Sequence, residues 1–340
     1  MLPWFGAADP GRVHSEGHAA RVAVEVAREQ VAARFGCRGS REVVFTSGAT
    51  ESIVTATWMA TERGDHIVVP AVEHSAVRRA SAQFGRVTEV GVDRVGRVSA
   101  DDVLAAITPE TALVHIQWGN HEVGTLQPVA DVVAGCRDRG VLVHVDAAAA
   151  AGHVPIDFSS MGADLLSISA HKLGGPPGVG VLLVRRGLRL RPLLVGGDQE
   201  RARRAGFENV PAIVGFGAVA TSLVIGDEEQ RLTRRIIDGS GLEVLGDPRR
   251  SLPNLVCLSI EGVEAEPVLL GLDQAGIAVH SGSSCSSEAL EPSPVLEAMG
   301  VDASRSLRVS VGWSSTDADV DAFLAALPGV LSRLRALGEH

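Results

Sequence analysis

The stretch SISAHKLGGPPGVGVLLVRRG, residues 167–187, decides how this chain is read. An apolar run, a loop rich in glycine and proline, and a second apolar run follow one another. A glycine-rich loop opening a helix would read as a dinucleotide fingerprint. Here the loop leads into VGVLLV (179–184), whose β-branched residues predict a strand, so that reading fails its own context. The stretch also holds Lys172, the only lysine in 340 residues, against thirty arginines. Arginine serves as well as lysine as a cation for phosphate or carboxylate, but it cannot lose its proton in a protein. Only lysine supplies a neutral amine that forms a Schiff base with an aldehyde. One lysine retained where the others are exchanged predicts that chemistry at Lys172.

Working outward, short apolar runs alternate with helical patterns. EVVFT (42–46), HIVVP (66–70), ALVHIQ (112–117), VLVHVD (141–146) and LLSIS (165–169) read as further strands. ESIVTATWMATER (51–63) and VADVVAGCRDRG (129–140) read as helices between them. Continuously apolar strands are expected where both faces of a sheet are covered. The pattern predicts an α/β fold with a doubly wound, mainly parallel sheet over residues 1–225. Beyond this, LPNLVCLSIEGV, EAEPVLLGLDQAG, SLRVSVGWS and VDAFLAALPGVLSRLRALG predict a smaller α+β domain over 226–340.

Composition narrows the function. A formal net charge of −10 argues against a general nucleic-acid binder. The one dense basic run, RARR (201–204), reads as a solvated loop or a single anion contact. AIVGFGAVATSLVIG (212–226) is shorter than a membrane span and reads as a buried helix. The N-terminus has no secretory pattern, and Cys37, Cys136, Cys257 and Cys285 lack zinc-like spacing. A cytoplasmic chain without a metal site is expected.

Ligands of open α/β sheets sit beyond the carboxyl ends of the strands. EVVFT runs into SGATES, where free N–H groups opening a helix, with the Thr50 hydroxyl, make an anion site, although an ordinary N-cap would read the same. HIVVP leads to His74, and VLVHVD ends on Asp146, a carboxylate that needs a cationic partner if buried. Either residue could be structural. Taken with Lys172, the set points to pyridoxal phosphate: lysine for the aldehyde, aspartate for the pyridinium nitrogen, helix N-terminus for the phosphate.

These residues stand in FTSGATES (45–52), EHSAV (73–77), HVDA (144–147), SAHKLGGPPGVG (169–180), RRAGFENVPAIVG (203–215), SGSSCSSEALEPSPVL (281–296) and SLRVSVG (306–312). In order and spacing, including the 26 residues from Asp146 to Lys172, the chain resembles the cysteine desulfurases of the class V aminotransferase family, fold-type I pyridoxal phosphate enzymes. The resemblance implies that Lys172 holds the cofactor, Asp146 its ring nitrogen, and His74 its ring face as acid and base. Ala49, Thr50, Ser169 and His171 would take the phosphate, Arg308 the substrate carboxylate, and Asn120 both cofactor and substrate. Cys285 would be the nucleophile that receives sulfur from L-cysteine. The implied setting is a homodimer that passes sulfur to an acceptor protein for iron–sulfur or thio-cofactor assembly.

The chain departs from the family pattern at Ala149, where glutamine is usual, at His121 for a second asparagine, and at Phe207 for threonine. Ala149 and Phe207 each remove a polar contact worth about 1 kcal/mol. A DNAATT-like motif is usual ahead of the loop that ADPGRVHSEG (8–17) resembles, so weaker cofactor retention is expected. Two other readings stay open on the sequence. One is a related lyase or aminotransferase; the other is a catalytically weak paralogue serving as dimer partner or sulfur-relay scaffold.

Overall fold

The structure, a computed structural model, describes residues 1–281 and 292–338. Two compact units form: Met1–Val90, Ala100–Trp118 and Pro128–Ile225 make the first, and Gly91–Ser99, Gly119–Gln127 and Gly226–His340 the second. No helix of the described residues is long and apolar enough to cross a membrane.

The first unit is built on β1 (Val43–Thr46), β2 (His66–Pro70), β3 (Arg86–Val90), β4 (Thr111–Gln117), β5 (Leu142–Asp146), β6 (Leu165–Ser169) and β7 (Gly180–Val184). They lie in the order β1-β7-β6-β5-β4-β2-β3. β2 to β6 run parallel; β7 is antiparallel to β6 and β1 to β7, so β1 points the same way as the parallel set. Every residue of β2, β4, β5 and β6 is buried, which explains their predominantly apolar runs. This is the doubly wound, mainly parallel sheet expected from the sequence. β3 was not legible there, because as an edge strand it exposes Arg86 and Glu89.

Three helices follow from their patterns: α1 (Ser15–Arg34), α2 (Ala49–Ala60) and α3 (Ser75–Phe84). α2 sends Ile53, Ala56, Met59 and Ala60 into a core with Val44, Leu142, Leu165 and Leu182. Full burial of one such large aliphatic side chain stabilises by about 1.5–3 kcal/mol. α1 packs against the helix Val210–Ser222, the apolar stretch read as a buried helix. A Cβ on Gly217 would meet the Ala27 Cα at 2.7 Å, so glycine sets that approach.

Polar side chains cross the middle of the sheet. His115 of β4 lies in register with His144 of β5, and their Nδ1 atoms are 2.9 Å apart. Thr57 donates its hydroxyl to the Ile53 carbonyl at 2.8 Å, so it accepts from His115 Nε2 at 3.2 Å. His115 Nδ1 must then accept from His144, which leaves the buried His144 Nε2 as a lone pair without a hydrogen-bond partner. Burial penalises the charged ring in both. His115 is pushed down to about 3, and His144, which also faces the His115 charge, well below its ordinary 6.5.

An imidazole protonated only when the chain unfolds gives the unfolded state more bound protons. The stabilising contribution is present above the unfolded value of 6.5 and is lost as pH falls toward about 3. Lowering the pH from about 7 to about 5.5 should cost roughly 2–3 kcal/mol for the pair. Denaturant unfolding at the two pH values measures this. A His115→Leu/His144→Leu variant with the parent's pH slope would assign the loss elsewhere.

The second unit has an antiparallel sheet in the order β10-β11-β9-β8, from β8 (Val244–Leu245), β9 (Leu255–Ser259), β10 (His280–Ser281) and β11 (Ser306–Ser310). Leu258 and Leu307 form its core with Leu232, Val268, Phe323 and Leu327 from three amphipathic helices. The two inserted segments are tied in by one side-chain and one backbone bond. Thr125 Oγ1 donates to the Val95 carbonyl at 2.6 Å, and Leu126 N–H to the Arg250 carbonyl at 2.8 Å.

Candidate active site

Because the parallel strands share a direction, their carboxyl ends share one edge of the sheet of the first unit. Register fixes the rows there. Gln117 of β4 pairs with Asp146 of β5, which pairs with Ser167 of β6. Beyond them, Ser169 of β6 and Thr46 of β1 flank Gly180 of β7. A Cβ on Gly180 would fall 2.6 Å from the Gly48 Cα, so glycine lets the turn after β1 lie against β7.

That turn opens α2. Gly48 makes no side-chain cap, and among the described residues no acceptor meets the N–H groups of Ala49 and Thr50 or the exposed Thr50 hydroxyl. Such N–H groups at the positive end of a helix dipole suit an anion. The Ser169 hydroxyl lies beside the turn, 3.0 Å from His171 Nδ1. Burial, and then the Lys172 charge, lowers the His171 pKa from its ordinary value. A neutral His171 can donate a hydrogen bond without adding charge.

Lys172 is exposed on the short 3₁₀ turn Ala170–Leu173, and no carboxylate of the described residues forms an ion pair with it. Asp146 is only 6% exposed. Its Oδ1 accepts from Ala148 N–H at 3.0 Å and from Ser167 Oγ at 3.2 Å, while Oδ2 has no hydrogen-bond partner among the described residues. A carboxylate on a largely buried residue, with one oxygen left for a further partner, suits a positively charged donor.

His74 caps α3, its Nδ1 accepting the Ala76 N–H at 3.1 Å, so the neutral ring carries its proton on Nε2. Its loop is held by two residues that motif reading passed over. Gln117 Nε2 donates to the Val72 carbonyl at 2.6 Å, and the buried Glu73 carboxylate accepts the Gln117 N–H. Their sequence signal is slight, a glutamate before His74 and a glutamine closing an apolar strand. Ala149 stands half-buried just past β5.

In the second unit, Asn120 is fully buried and accepts the N–H groups of Glu122 and Val123 at 2.8 and 2.9 Å, closing its own turn. Arg308 lies opposite Cys257 in the sheet and donates to the His121 carbonyl at 3.1 Å. Ser293 donates to the buried Glu122 carboxylate, which also stands 3.4 Å from His121 Nε2. Cys285 lies outside the described residues.

The RARR run is not a solvated loop. Glu200, Arg201 and Ala202 occupy the left-handed region (φ 49°, 62° and 60°), a conformation costing roughly 1–2 kcal/mol per residue. Buried Glu200 grips buried Arg28 through two bonds of 2.6 Å and accepts Phe45 N–H at 2.9 Å. Arg203 donates to the carbonyls of Arg41 and Val43 at 2.7 and 3.0 Å. Arg204 makes bonds of 2.9 and 3.2 Å to Glu51, whose carboxylate also accepts Ser47 N–H at 2.8 Å. Burial alone would raise the Glu51 pKa, but the bonds from Arg204 and Ser47 hold it below its ordinary value.

One edge of the first unit thus presents N–H groups without an acceptor among the described residues, a carboxylate oxygen without a hydrogen-bond partner among them, and a primary amine. Comparison with known proteins gives the family. The aminotransferase class-V family model matches residues 5–323. A cysteine desulfurase of Gluconacetobacter diazotrophicus is 42% identical over 99% of this chain and 90% of its own length. Cysteine desulfurase IscS 1 of Archaeoglobus fulgidus is 40% identical over 99% and 94%. A solved structure described as a NifS-like protein has a TM-score of 0.88 at 33% identity, covering 96% of this chain and 92% of that one.

Proposed function

The chain belongs to the aminotransferase class-V family, and on that premise we propose that it is a pyridoxal phosphate-dependent cysteine desulfurase. The observation that carries the reading is that largely buried Asp146, whose Oδ2 has no hydrogen-bond partner among the described residues, and the chain's one lysine follow neighbouring strands at the same sheet edge. The desulfurase names of relatives spanning nearly the whole chain support it over a cofactor-poor scaffold.

Lys172 would hold the cofactor aldehyde, Asp146 the ring nitrogen, and His74 a ring face. The N–H groups of Ala49 and Thr50, the Thr50 and Ser169 hydroxyls and His171 would hold the phosphate. The bound cofactor supplies an electron sink for charge developing at the substrate Cα. Lys172 Nζ would move the α-proton of the substrate. The His74 Nε2–H is the second proton carrier. Arg308 binds the substrate carboxylate with its planar fork, and Asn120 keeps its turn in place. The Cys285 thiolate attacks the substrate sulfur. A sulfur–sulfur bond forms as the carbon–sulfur bond breaks; carbon keeps the electron pair, takes a proton and leaves as alanine.

The persulfide on Cys285 then passes to an acceptor protein carrying its own thiol. The working form is a homodimer in the cytoplasm; the exposed apolar side chains Val22, Val26 and Phe207 support a partner on the first unit. The purified chain, given the cofactor, L-cysteine and a thiol reductant, should yield sulfide and alanine in equal amounts. Pyruvate and ammonia in place of alanine would make it a lyase instead.

A further inference from the structure

The anion-binding turn has a feature that works against it. Glu51 stands one residue past Thr50 in the first turn of α2 and turns its carboxylate back to the Ser47 N–H at 2.8 Å. A fixed negative charge therefore sits beside N–H groups that suit an anion. A glutamine could accept the same N–H without opposing a phosphate. What distinguishes glutamate here is its two-bond pairing with Arg204, at 2.9 and 3.2 Å, a residue reached from far along the chain.

The segment that delivers Arg204 is held against its own conformational preference. Three successive non-glycine residues, Glu200 to Ala202, sit in the left-handed region. The Glu200 carboxylate is anchored to Arg28 and to the backbone of β1 at Phe45, two residues before the turn. Such strain persists only where the surroundings over-determine it, and it gathers at functional positions.

We propose that Arg204 is a positioning residue for the phosphate of the cofactor: it neutralises Glu51, so that the turn keeps its backbone geometry without repelling the anion. The inference rests on the cofactor reading above. It assigns to the strained strap 199–205 the task of holding that charge in place.

The experiment measures binding by the parent, Arg204→Met and Glu51→Gln chains and by the double variant, with pyridoxal phosphate and with pyridoxal, which lacks the phosphate. Bound aldehyde is followed by absorbance and by borohydride trapping. Arg204→Met should weaken pyridoxal phosphate about tenfold and leave pyridoxal unchanged, because only the phosphate meets the uncovered carboxylate. Glu51→Gln should bind pyridoxal phosphate at least as tightly as the parent. The double variant should return to within about threefold of it, since the opposing charge is gone.

Equal affinity of Arg204→Met and parent for pyridoxal phosphate overturns the proposal. So does an equal loss for both aldehydes, which marks a general structural role, or a Glu51→Gln chain that binds the phosphate form more weakly. Should Arg204→Met fail to fold, the Glu51→Gln result and the double variant decide alone. A parent that takes up neither aldehyde overturns the cofactor reading and this inference with it, whereas a parent that binds both confines any failure to Arg204.

Discussion

A Lys172→Arg chain keeps its fold and its positive charge and loses covalently held cofactor entirely. Lys172 is exposed and makes no ion pair among the described residues, so no packing or charge partner suffers from the change. The turn that carries it is set by the backbone: Gly174 takes φ 77°, and a Cβ on Gly175 would fall 2.8 Å from the Ala170 carbonyl oxygen. Arginine reaches as far and is always charged, but its guanidinium has no free amine to offer an aldehyde. The parent with bound cofactor should show a visible absorption band, and borohydride should fix the cofactor in the peptide spanning residues 167–187. Both signals should vanish in Lys172→Arg and in Lys172→Ala, with sulfide release down by at least about a thousandfold. A parent-like band in the arginine variant would sink the cofactor assignment, because no other lysine exists in the chain to supply it.

Most of the sheet of the first unit could be read from sequence because its strands are buried on both faces. β2 and β6 are short, mostly apolar runs, and both HIVVP and LLSIS read as strands. β3 escaped because an edge strand needs charge, and Arg86 and Glu89 break the apolar signal that marks the others. The strand ends could be read for the same reason as the strands: where a parallel run stops, the next few residues must lie at one edge. What sequence does not carry is long-range pairing. Arg28 and Glu200 are 172 residues apart, and no local pattern joins them, so RARR reads from sequence as a solvated loop or a single anion contact. Segments 91–99 and 119–127 fall within the span 1–225 read as one domain. They belong to the second unit, where the Thr125 hydroxyl bonds the Val95 carbonyl and the Leu126 N–H the Arg250 carbonyl. The His115–His144 contact depends on the register of two strands, which composition cannot set.

Replacing Cys285 with serine should leave the cofactor spectrum intact and stop sulfide release. The change is one atom, and a hydroxyl neither ionises near neutral pH nor accepts sulfur to form a persulfide. No other thiol is suited to the role. Cys136 and Cys257 are buried, and burial pushes both thiols up to about 12. Cys37 is partly buried and is also raised to about 12, by burial first and then by the nearby charges of Glu42 and Asp157. At neutral pH these three hold a negligible fraction of thiolate, so none can rescue the variant. Turnover of L-cysteine to sulfide and alanine should fall by at least about a hundredfold. Iodoacetamide, which reports accessible thiolate, should modify the parent at Cys285 and leave the variant unmodified under the same brief exposure. Alanine production at the parent rate in Cys285→Ser would remove the thiol from the reaction. The chain would then act on its substrate without a sulfur-accepting residue, and the persulfide route would fall with it.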